Sequence, residues 1–300
     1  MSKTAKWLIG IFSFLAIFFF FIVTAFLSLF NDEETEDISS GTAGTIALVE
    51  LNEEIVGSQH IVQQIKRYRE NTSVRAIVLR IESPGGGVSA SQEIYEEVKK
   101  TREYGKPIVV SMGSVAASGG YYIAVGASRI VANPGSITGS IGVISQFMHV
   151  NQLLDKIGVT STTIKSGQMK DAGSPFRSST AEDKRYFQEM IDDIYDQFVT
   201  TVAIERKLEK SLVKKYADGR VFTGRKAYEL KLIDTLGTYQ DAIKIAAQLA
   251  EIYGTPRVIK ERKRERFSDM VFGEVRSGLT QMKNELLYQP IVQYRYNIPQ

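Results

Sequence analysis

The feature that most constrains the fold is an alternation of strand-like and helix-like segments after Thr45. A strand pattern at 45–51 is followed by helical spacing at 58–69, a β-branched strand at 73–81, a glycine turn and a second helix at 89–104. A strand, a helix and a second strand in this order favour parallel strands joined by right-handed crossovers. The sequence therefore predicts an α/β layered fold.

The run from Val109 to Ala124, VVSMGSVAASGGYYIA, contains the strongest candidate for chemistry. It leads from a buried strand, Pro107 to Ser111, through small residues into a short helix that opens near Ser118. Because the residues around Ser118 are small, backbone N–H groups there are free to face a ligand. We predict that Ser118 is a nucleophile.

Composition excludes several classes of protein. With 43% hydrophobic residues, a 300-residue chain can bury a substantial core, and a net charge of +3 implies no nucleic-acid partner. The absence of cysteine rules out disulfides and thiolate catalysis, and two histidines are too few for a multi-histidine metal site. We expect no metal or organic cofactor.

A serine nucleophile needs a base to take its proton, and the residues leave two classes open. His60 and His149 are the histidines available for a Ser-His-Asp triad, but neither has a neighbouring acidic motif to orient it. A lysine stripped of water is the alternative, and spacing alone does not select one among many.

Two glycine runs, at 85–87 and 119–120, are candidates for the oxyanion site. Each offers backbone N–H groups at the start of a predicted helix, where they stabilise negative charge, although a plain tight turn explains either run alone. The spacings of phosphate-binding and dinucleotide-binding loops are absent.

The N-terminus predicts a membrane anchor. Trp7 to Phe30 runs for 24 residues without a charge, and at ~1.5 Å per residue such a helix spans roughly 36 Å, more than a bilayer core of about 30 Å. A cleaved signal peptide competes with this interpretation, but no Ala-x-Ala-like cleavage site is present. Lys3 and Lys6 precede the span and acidic residues follow it, which predicts a single-pass protein of the cell membrane with a cytoplasmic N-terminus and an extracytoplasmic catalytic domain.

These features divide the chain into four parts: the cytoplasmic start and anchor (1–30), an acidic and polar linker (31–44), a folded domain (45–254) and a C-terminal tail (255–300). The linker has too little apolar surface to fold, so we expect it to be a flexible tether. Within the domain we also expect strands at 129–131, 141–144 and 160–165 and a long helix after Thr180. The tail combines a basic cluster with an amphipathic helix at 268–287, which is typical of a solvated helix or of docking against anionic lipid or a neighbouring subunit.

Five segments, in order, resemble the signal peptide peptidase A family, also called protease IV, in its short single-domain form. The resemblance covers about residues 45–254 and includes SPGGGV (83–88), SMGSVAASGGYY (111–122), TGSIGV (138–143), KSGQMKDAGSPFR (165–177) and ADGRVFTGRKAYELKLID (217–234). The family resemblance implies a Clp protease/crotonase-like fold and a Ser-Lys dyad.

The same resemblance implies a role for each matched residue. Ser118 is the nucleophile, Lys170 rather than Lys165 is the general base, and Ser140 orients the lysine amine. The oxyanion donors are the N–H groups of Gly86 and Gly119, and the segments after Ser83 and around Ile141 shape an apolar groove for an extended peptide. Short family members form rings in which neighbouring subunits complete each other's sites, so a homo-oligomer is expected.

The leading hypothesis is therefore a membrane-anchored serine endopeptidase that cleaves apolar peptides, such as released signal peptides, through an acyl-enzyme. Two alternatives remain from fold analogy: a crotonase-like acyl-CoA enzyme and a non-catalytic membrane scaffold.

Overall fold

The computed structural model describes residues 7, 12–23, 35–261 and 292–296. Within these residues, most strands join one nine-stranded sheet and the remaining two form a small separate pair. The strands are β1 (Thr35–Ser40), β2 (Thr45–Asn52), β3 (Val74–Ser83), β4 (Gly85–Gly87), β5 (Ile108–Ala117), β6 (Arg129–Ala132), β7 (Ile137–Gly139), β8 (Val221–Thr223), β9 (Thr235–Leu236), β10 (Arg257–Glu261) and β11 (Gln293–Arg295).

The large sheet has the order β1-β10-β2-β3-β5-β6-β9, with β7 beside β5 and β8 beside β7. All its pairs are parallel except β1 with β10 and β7 with β8. The predicted α/β fold with mostly parallel strands is thus confirmed. The helices described between residues 58 and 261 are α1 (Gln59–Glu70), α2 (Val88–Glu103), α3 (Gly119–Ala124), α4 (Asn151–Lys156), α5 (Ala181–Arg206), α6 (Lys210–Lys214), α7 (Gly224–Glu229) and α8 (Tyr239–Leu249).

The central strands are buried on both faces of the sheet. Along β2, Ala47 and Val49 point into a large core that also receives residues of α1, α2, α3 and α5, whereas Ile46 and Leu48 point into a smaller core covered by α8. This two-sided burial explains why the strands read as continuous apolar runs rather than as alternating patterns.

Two strands at one side of the large sheet, β1 and β10, lie outside the predicted limits of the folded domain. The expected flexible linker contains β1, which pairs antiparallel with β10, and β10 pairs parallel with β2 although it lies in the expected tail. Arg257 and Asp37 form an ion pair across the β1–β10 edge. The prediction of a tether was wrong for Thr35–Ser40, because an acidic, polar segment forms a strand when a partner edge supplies its hydrogen bonds.

Other local predictions also differ from the structure. Residues 141–144 form no strand beyond a single bridge at Ile144, and the strand beside Ser118 is β7. Residues 160–165 are irregular, whereas the long helix after Thr180 is present as α5. Thr180 and Asp183 form a capping box at its start, which satisfies free N–H groups of the first turn.

A membrane-spanning helix, expected from Trp7 to Phe30, is not found: no helix among the described residues is long and apolar enough to cross a bilayer. Of that stretch the structure describes residue 7 and the helical residues 12–23. Residues 8–11 and 24–30, like the expected amphipathic helix at 268–287, lie outside the described residues.

Candidate active site

Ser118 links the end of β5 to the start of α3 with a positive φ of 51° and a ψ of −113°. The residue is 1% exposed, and its Oγ has no hydrogen-bond partner among the described residues. Buried hydroxyls are normally hydrogen-bonded, and a positive φ strains a residue that carries a Cβ. Both costs are typical of a group that is held in place for chemistry.

Backbone contacts fix Ser118 next to β7. Its N–H donates to the carbonyl of Gly139 at 2.8 Å, and its own carbonyl accepts from the N–H of Tyr122 at 2.8 Å. Ala117 and Gly139 are the last residues of β5 and β7 and pair with each other in the parallel ladder. Ser118 and Ser140, which directly follow these two strands, are therefore neighbours. Ser140 is also 5% exposed and has a positive φ of 50°.

The two glycine runs approach each other beside this serine. A Cβ placed on Gly119 would lie 3.3 Å from the backbone nitrogen of Gly86 and 2.5 Å from Ser91 Oγ. A Cβ placed on Gly85 would lie 2.7 Å from the backbone nitrogen of Gly119. Only glycine permits this close approach, which brings the backbone amides of Gly86 and Gly119 near each other.

Lys170 lies on a 3-10 turn, Gln168–Asp171, and is exposed in the single chain. Its side chain has no hydrogen bond or ion pair within the described residues and is not bonded to Ser118. The competing Lys165 differs, because its Nζ donates to Asp171 Oδ1 at 2.6 Å and to the carbonyl of Gln168 at 2.9 Å. Pairing thus occupies Lys165 and leaves the amine of Lys170 available.

An ion-pair network anchors this turn to the start of α5. Arg177 donates to Asp171 at 2.9 Å and also to Asp183, the acidic member of the capping box. Hydrogen bonds from Arg177 and then Lys165 lower the pKa of Asp171 to about 2, and Arg177 also lowers the pKa of Asp183. Sequence reasoning did not identify Arg177 or Asp183 as supports of the turn that carries Lys170. The sequence did contain a signal for Asp183, because an acidic residue three positions after Thr180 is typical of a helix start.

Neither histidine approaches the serine. His60 and His149 are both exposed, and His149 Nε2 lies 3.1 Å from Ser179 Oγ. In the part of the chain that the structure describes, no group of three or more acidic, histidine or cysteine side chains is arranged to hold a metal ion. The geometry therefore gives a histidine base no support.

A cleft with a volume of about 450 Å³ opens next to Ser140. Its lining combines the segment after Ser140 with residues of α5 and of the loop before β8, and it includes Arg295 from β11. The structure thus places an open cleft along the segment that was predicted to shape a peptide groove.

Comparison with known proteins identifies the kind of enzyme. The profile of Peptidase family S49 matches residues 100–253, which include Ser118, Ser140 and Lys170, and the Clp protease profile matches residues 43–136. The chain belongs to peptidase family S49. It is a serine peptidase of the signal peptide peptidase A family, so the acyl-CoA enzyme and scaffold hypotheses lose their support.

Individual relatives agree with this assignment. A putative protease of Synechocystis is 46% identical over 212 residues, which cover 70% of this chain and 76% of the relative. A putative signal peptide peptidase SppA of Enterococcus faecium is 40% identical over 62% of this chain and 54% of its own length. Protease 4 of Salmonella typhi is 37% identical over 84% of this chain and 42% of its own length. The chain thus spans three quarters of the first relative and about half of the other two.

Proposed function

We propose that this S49 peptidase is a membrane-anchored endopeptidase that uses Ser118 and Lys170 as a dyad to cleave apolar peptides such as released signal peptides. The observation that carries the proposal is the buried Ser118 hydroxyl, which has no partner and lies beside the converging amides of Gly86 and Gly119.

The residues have separate roles in the proposed reaction. The neutral amine of Lys170 takes the proton from Ser118 Oγ as the oxygen attacks the peptide carbonyl carbon. The N–H groups of Gly86 and Gly119 bind the resulting oxyanion. The C–N bond then breaks, Lys170 returns the proton to the leaving amine, and a water molecule releases the acyl group by the same route.

A homo-oligomer completes this mechanism. Lys170 is exposed and apart from Ser118 in the single chain, so we infer that a neighbouring subunit covers the turn and brings a lysine to each serine. Ser140, next to Ser118 across the β5–β7 ladder, lies where its hydroxyl would orient the incoming amine. The ion pairs of Arg177 support the turn that carries this amine.

Labelling with a fluorophosphonate probe and hydrolysis of an apolar peptide ester test the dyad. Ser118→Ala should abolish both signals, and Lys170→Ala should lower the rate by at least about 10³-fold, since a serine without its base is a weak nucleophile. Lys184→Ala is the matched control, because Lys184 is exposed on α5 and belongs to no part of the site. Near-normal turnover by Lys170→Ala, with loss of turnover in Lys165→Ala, would transfer the role of base to Lys165.

The anchor rests on the uncharged stretch Trp7–Phe30, with lysines before it and acidic residues after it. Alkaline carbonate extraction of cell membranes should leave the full chain in the pellet, and a protease added outside the membrane should digest the catalytic domain. Release of the full chain by carbonate would refute the anchor without affecting the dyad.

A further inference from the structure

Strand β5, which ends next to Ser118, changes one of its neighbours midway along its length. Residues 109–112 pair with β6, whereas residues 115–117 pair with β7. The change of neighbour matters for the site, because only the second half of β5 leads the chain to the nucleophile and places it beside β7.

The change coincides with a shift of register against β3, the neighbour on the other side of β5. Ile81 pairs with Met112, and the next pair is Ser83 with Ala116. Over this interval β3 advances by two residues and β5 by four, so β5 contains a bulge at 113–115. A bulge bends its strand and changes the direction of the residues that follow.

The carboxylate of Glu82 takes the place of the ladder hydrogen bonds that the bulge interrupts. Its Oε2 accepts from the N–H of Ser114 at 2.8 Å, and its Oε1 accepts from the N–H of Val115 at 2.9 Å. A Cβ on Gly113 would collide with Oε2, so glycine is required there for the carboxylate to approach. Both oxygens of one charged group thus fix two successive amides of the bulge.

Two further side chains bind the carbonyl groups of the same segment. Arg80 Nη1 donates to the carbonyl of Met112, directly before the bulge, at 3.0 Å, and Ser136 Oγ donates to the carbonyl of Gly113 at 2.6 Å. Together with Glu82, they provide partners for two carbonyl and two N–H groups. The backbone of the bulge is therefore held by side chains rather than by a neighbouring strand.

Glu82 connects the two segments that form the candidate site. On β5, it binds the N–H of Val115, the first residue of the β5–β7 ladder, and that ladder leads to the hydrogen bond from the Ser118 N–H to the Gly139 carbonyl. On its own chain, Glu82 lies near the end of β3, four residues before Gly86. The relative position of the nucleophile and one oxyanion amide thus depends on the bonds that Glu82 makes.

We propose that Glu82 is a positioning residue, whose carboxylate fixes the β5 bulge and thereby the placement of Ser118 Oγ relative to the amides of Gly86 and Gly119. The inference rests on the proposed function and deepens it. A shift of about 1 Å in such a placement lowers a reaction rate about 10²-fold. Glu82 does not line the cleft beside Ser140, so its loss should lower kcat and leave KM nearly unchanged.

Steady-state hydrolysis of an apolar peptide ester by the full chain in detergent tests the proposal. Glu82→Gln keeps the shape of the side chain but directs an NH₂ group at one of the two backbone N–H groups. It should lower kcat at least about tenfold, with KM within about twofold of the parent value.

Asp234→Asn is the matched control, because it also converts a carboxylate that holds a strand into an amide. Asp234 accepts from the N–H of Ile130 at 2.7 Å and pairs with Arg206 at 2.9 Å, near the amino end of β6 and away from the site. The control should lose stability in urea, yet keep both kcat and KM within about twofold of the parent values.

A double-mutant cycle with Gly113 tests whether the effect passes through the bulge. Gly113→Ala pushes the carboxylate away without changing Glu82, so it should lower kcat at least about tenfold in the parent chain. In a Glu82→Ala background the collision is absent, and the same change should lower kcat less than about twofold. Equal losses in the two backgrounds would contradict a path through Glu82.

Hydrogen exchange followed by mass spectrometry provides a measurement that does not depend on turnover. In Glu82→Gln, a peptide covering residues 113–118 should exchange at least about fivefold faster, because its amides lose their acceptor. Asp234→Asn should leave that peptide unchanged. If Glu82→Gln does not fold, Glu82→Asp replaces it, because its carboxylate is one methylene too short to reach both amides.

The outcomes separate this proposal from the dyad. An unchanged kcat in Glu82→Gln, an equal loss of kcat in Asp234→Asn, or unchanged exchange at residues 113–118 would each overturn the role of Glu82. If the parent chain showed no turnover that depends on Ser118, the proposed function would be refuted instead, and the exchange measurement would decide alone whether Glu82 fixes the bulge.

Discussion

Replacing Ser118 should stabilise the protein while it abolishes activity. The Oγ of Ser118 is buried without a partner, and such a group costs about 1–3 kcal/mol. Ser118→Ala removes this hydroxyl and breaks no hydrogen bond among the described residues, so the free energy of unfolding should rise by about that amount. For a domain of this size, each kcal/mol corresponds to a rise in Tm of about 2–4 °C.

Ser118→Gly should stabilise the fold further, because it also relieves the backbone. The sparsely populated backbone conformation of Ser118, with φ 51° and ψ −113°, costs a residue with a Cβ about 1–3 kcal/mol. Glycine avoids this cost but gains unfolded-state entropy worth about 0.4–1 kcal/mol, so the glycine variant should exceed the alanine variant by about 1 kcal/mol.

Urea unfolding followed by circular dichroism measures these differences, since the single tryptophan, Trp7, lies outside the sheet and makes fluorescence a poor reporter. Ser136→Ala is the matched control: Ser136 is also buried, but its Oγ donates to the carbonyl of Gly113 at 2.6 Å. Its loss should destabilise the fold by about 0.5–1.5 kcal/mol. If Ser118→Ala lost stability as Ser136→Ala does, the hydroxyl of Ser118 would have a partner and the reasoning would fail.

Three further predictions concern the frame of the site. Thr180→Ala removes the capping box of α5 and should lower the free energy of unfolding by about 1 kcal/mol in urea, while Thr162→Ala, in an exposed segment, should leave it unchanged. Phe198→Ala empties a fully buried position and should cost about 3–5 kcal/mol in the same assay; a loss below 1 kcal/mol would contradict its burial. The folded pKa of Asp171, about 2, lies below its ordinary value of 3.8, so its ion pairs contribute stability that is complete above the ordinary value and disappears as the pH falls towards 2. NMR titration of the Asp171 carboxyl carbon checks this value, and a midpoint near 3.8 would refute the network.

Local sequence patterns were sufficient to predict the central strands of the fold and their parallel arrangement. The runs that became β2, β3 and β5 are apolar on both faces and are separated by helices, so their parallel pairing follows from composition and order. The start of α5 was equally readable, because a threonine with an acidic residue three positions later predicts a cap without tertiary information. Ser118 was selected by its small neighbours, and the structure shows why they are small: bulkier residues at Gly85 or Gly119 would collide with backbone or side-chain atoms.

The strands that were missed depend on distant partners. Strand β1 is acidic, β4 consists of three glycines and β11 lies near the end of the chain, so none has strong strand propensity over a long run. Their hydrogen bonds come from segments as far apart as Gly86 and Tyr294. One signal was available for β11, since Gln293 to Tyr296 alternates polar and aromatic residues as a half-buried strand does. The approach of Lys170 to the serine of a neighbouring subunit is a prediction.

The shape of the sheet explains how a site with no histidine partner can still position its groups. Strands β3, β5 and β7 are parallel neighbours, so their carboxyl ends open at the same edge of the sheet. The glycine strand β4 follows β3, Ser118 follows β5 and Ser140 follows β7, and each of these segments contains a residue with positive φ that turns the chain away from the ladder. The nucleophile, one oxyanion amide and the serine next to it are therefore set by backbone geometry alone. In the proposed mechanism only the base comes from elsewhere, and the proposal assigns that role to a lysine on an exposed turn of a neighbouring subunit.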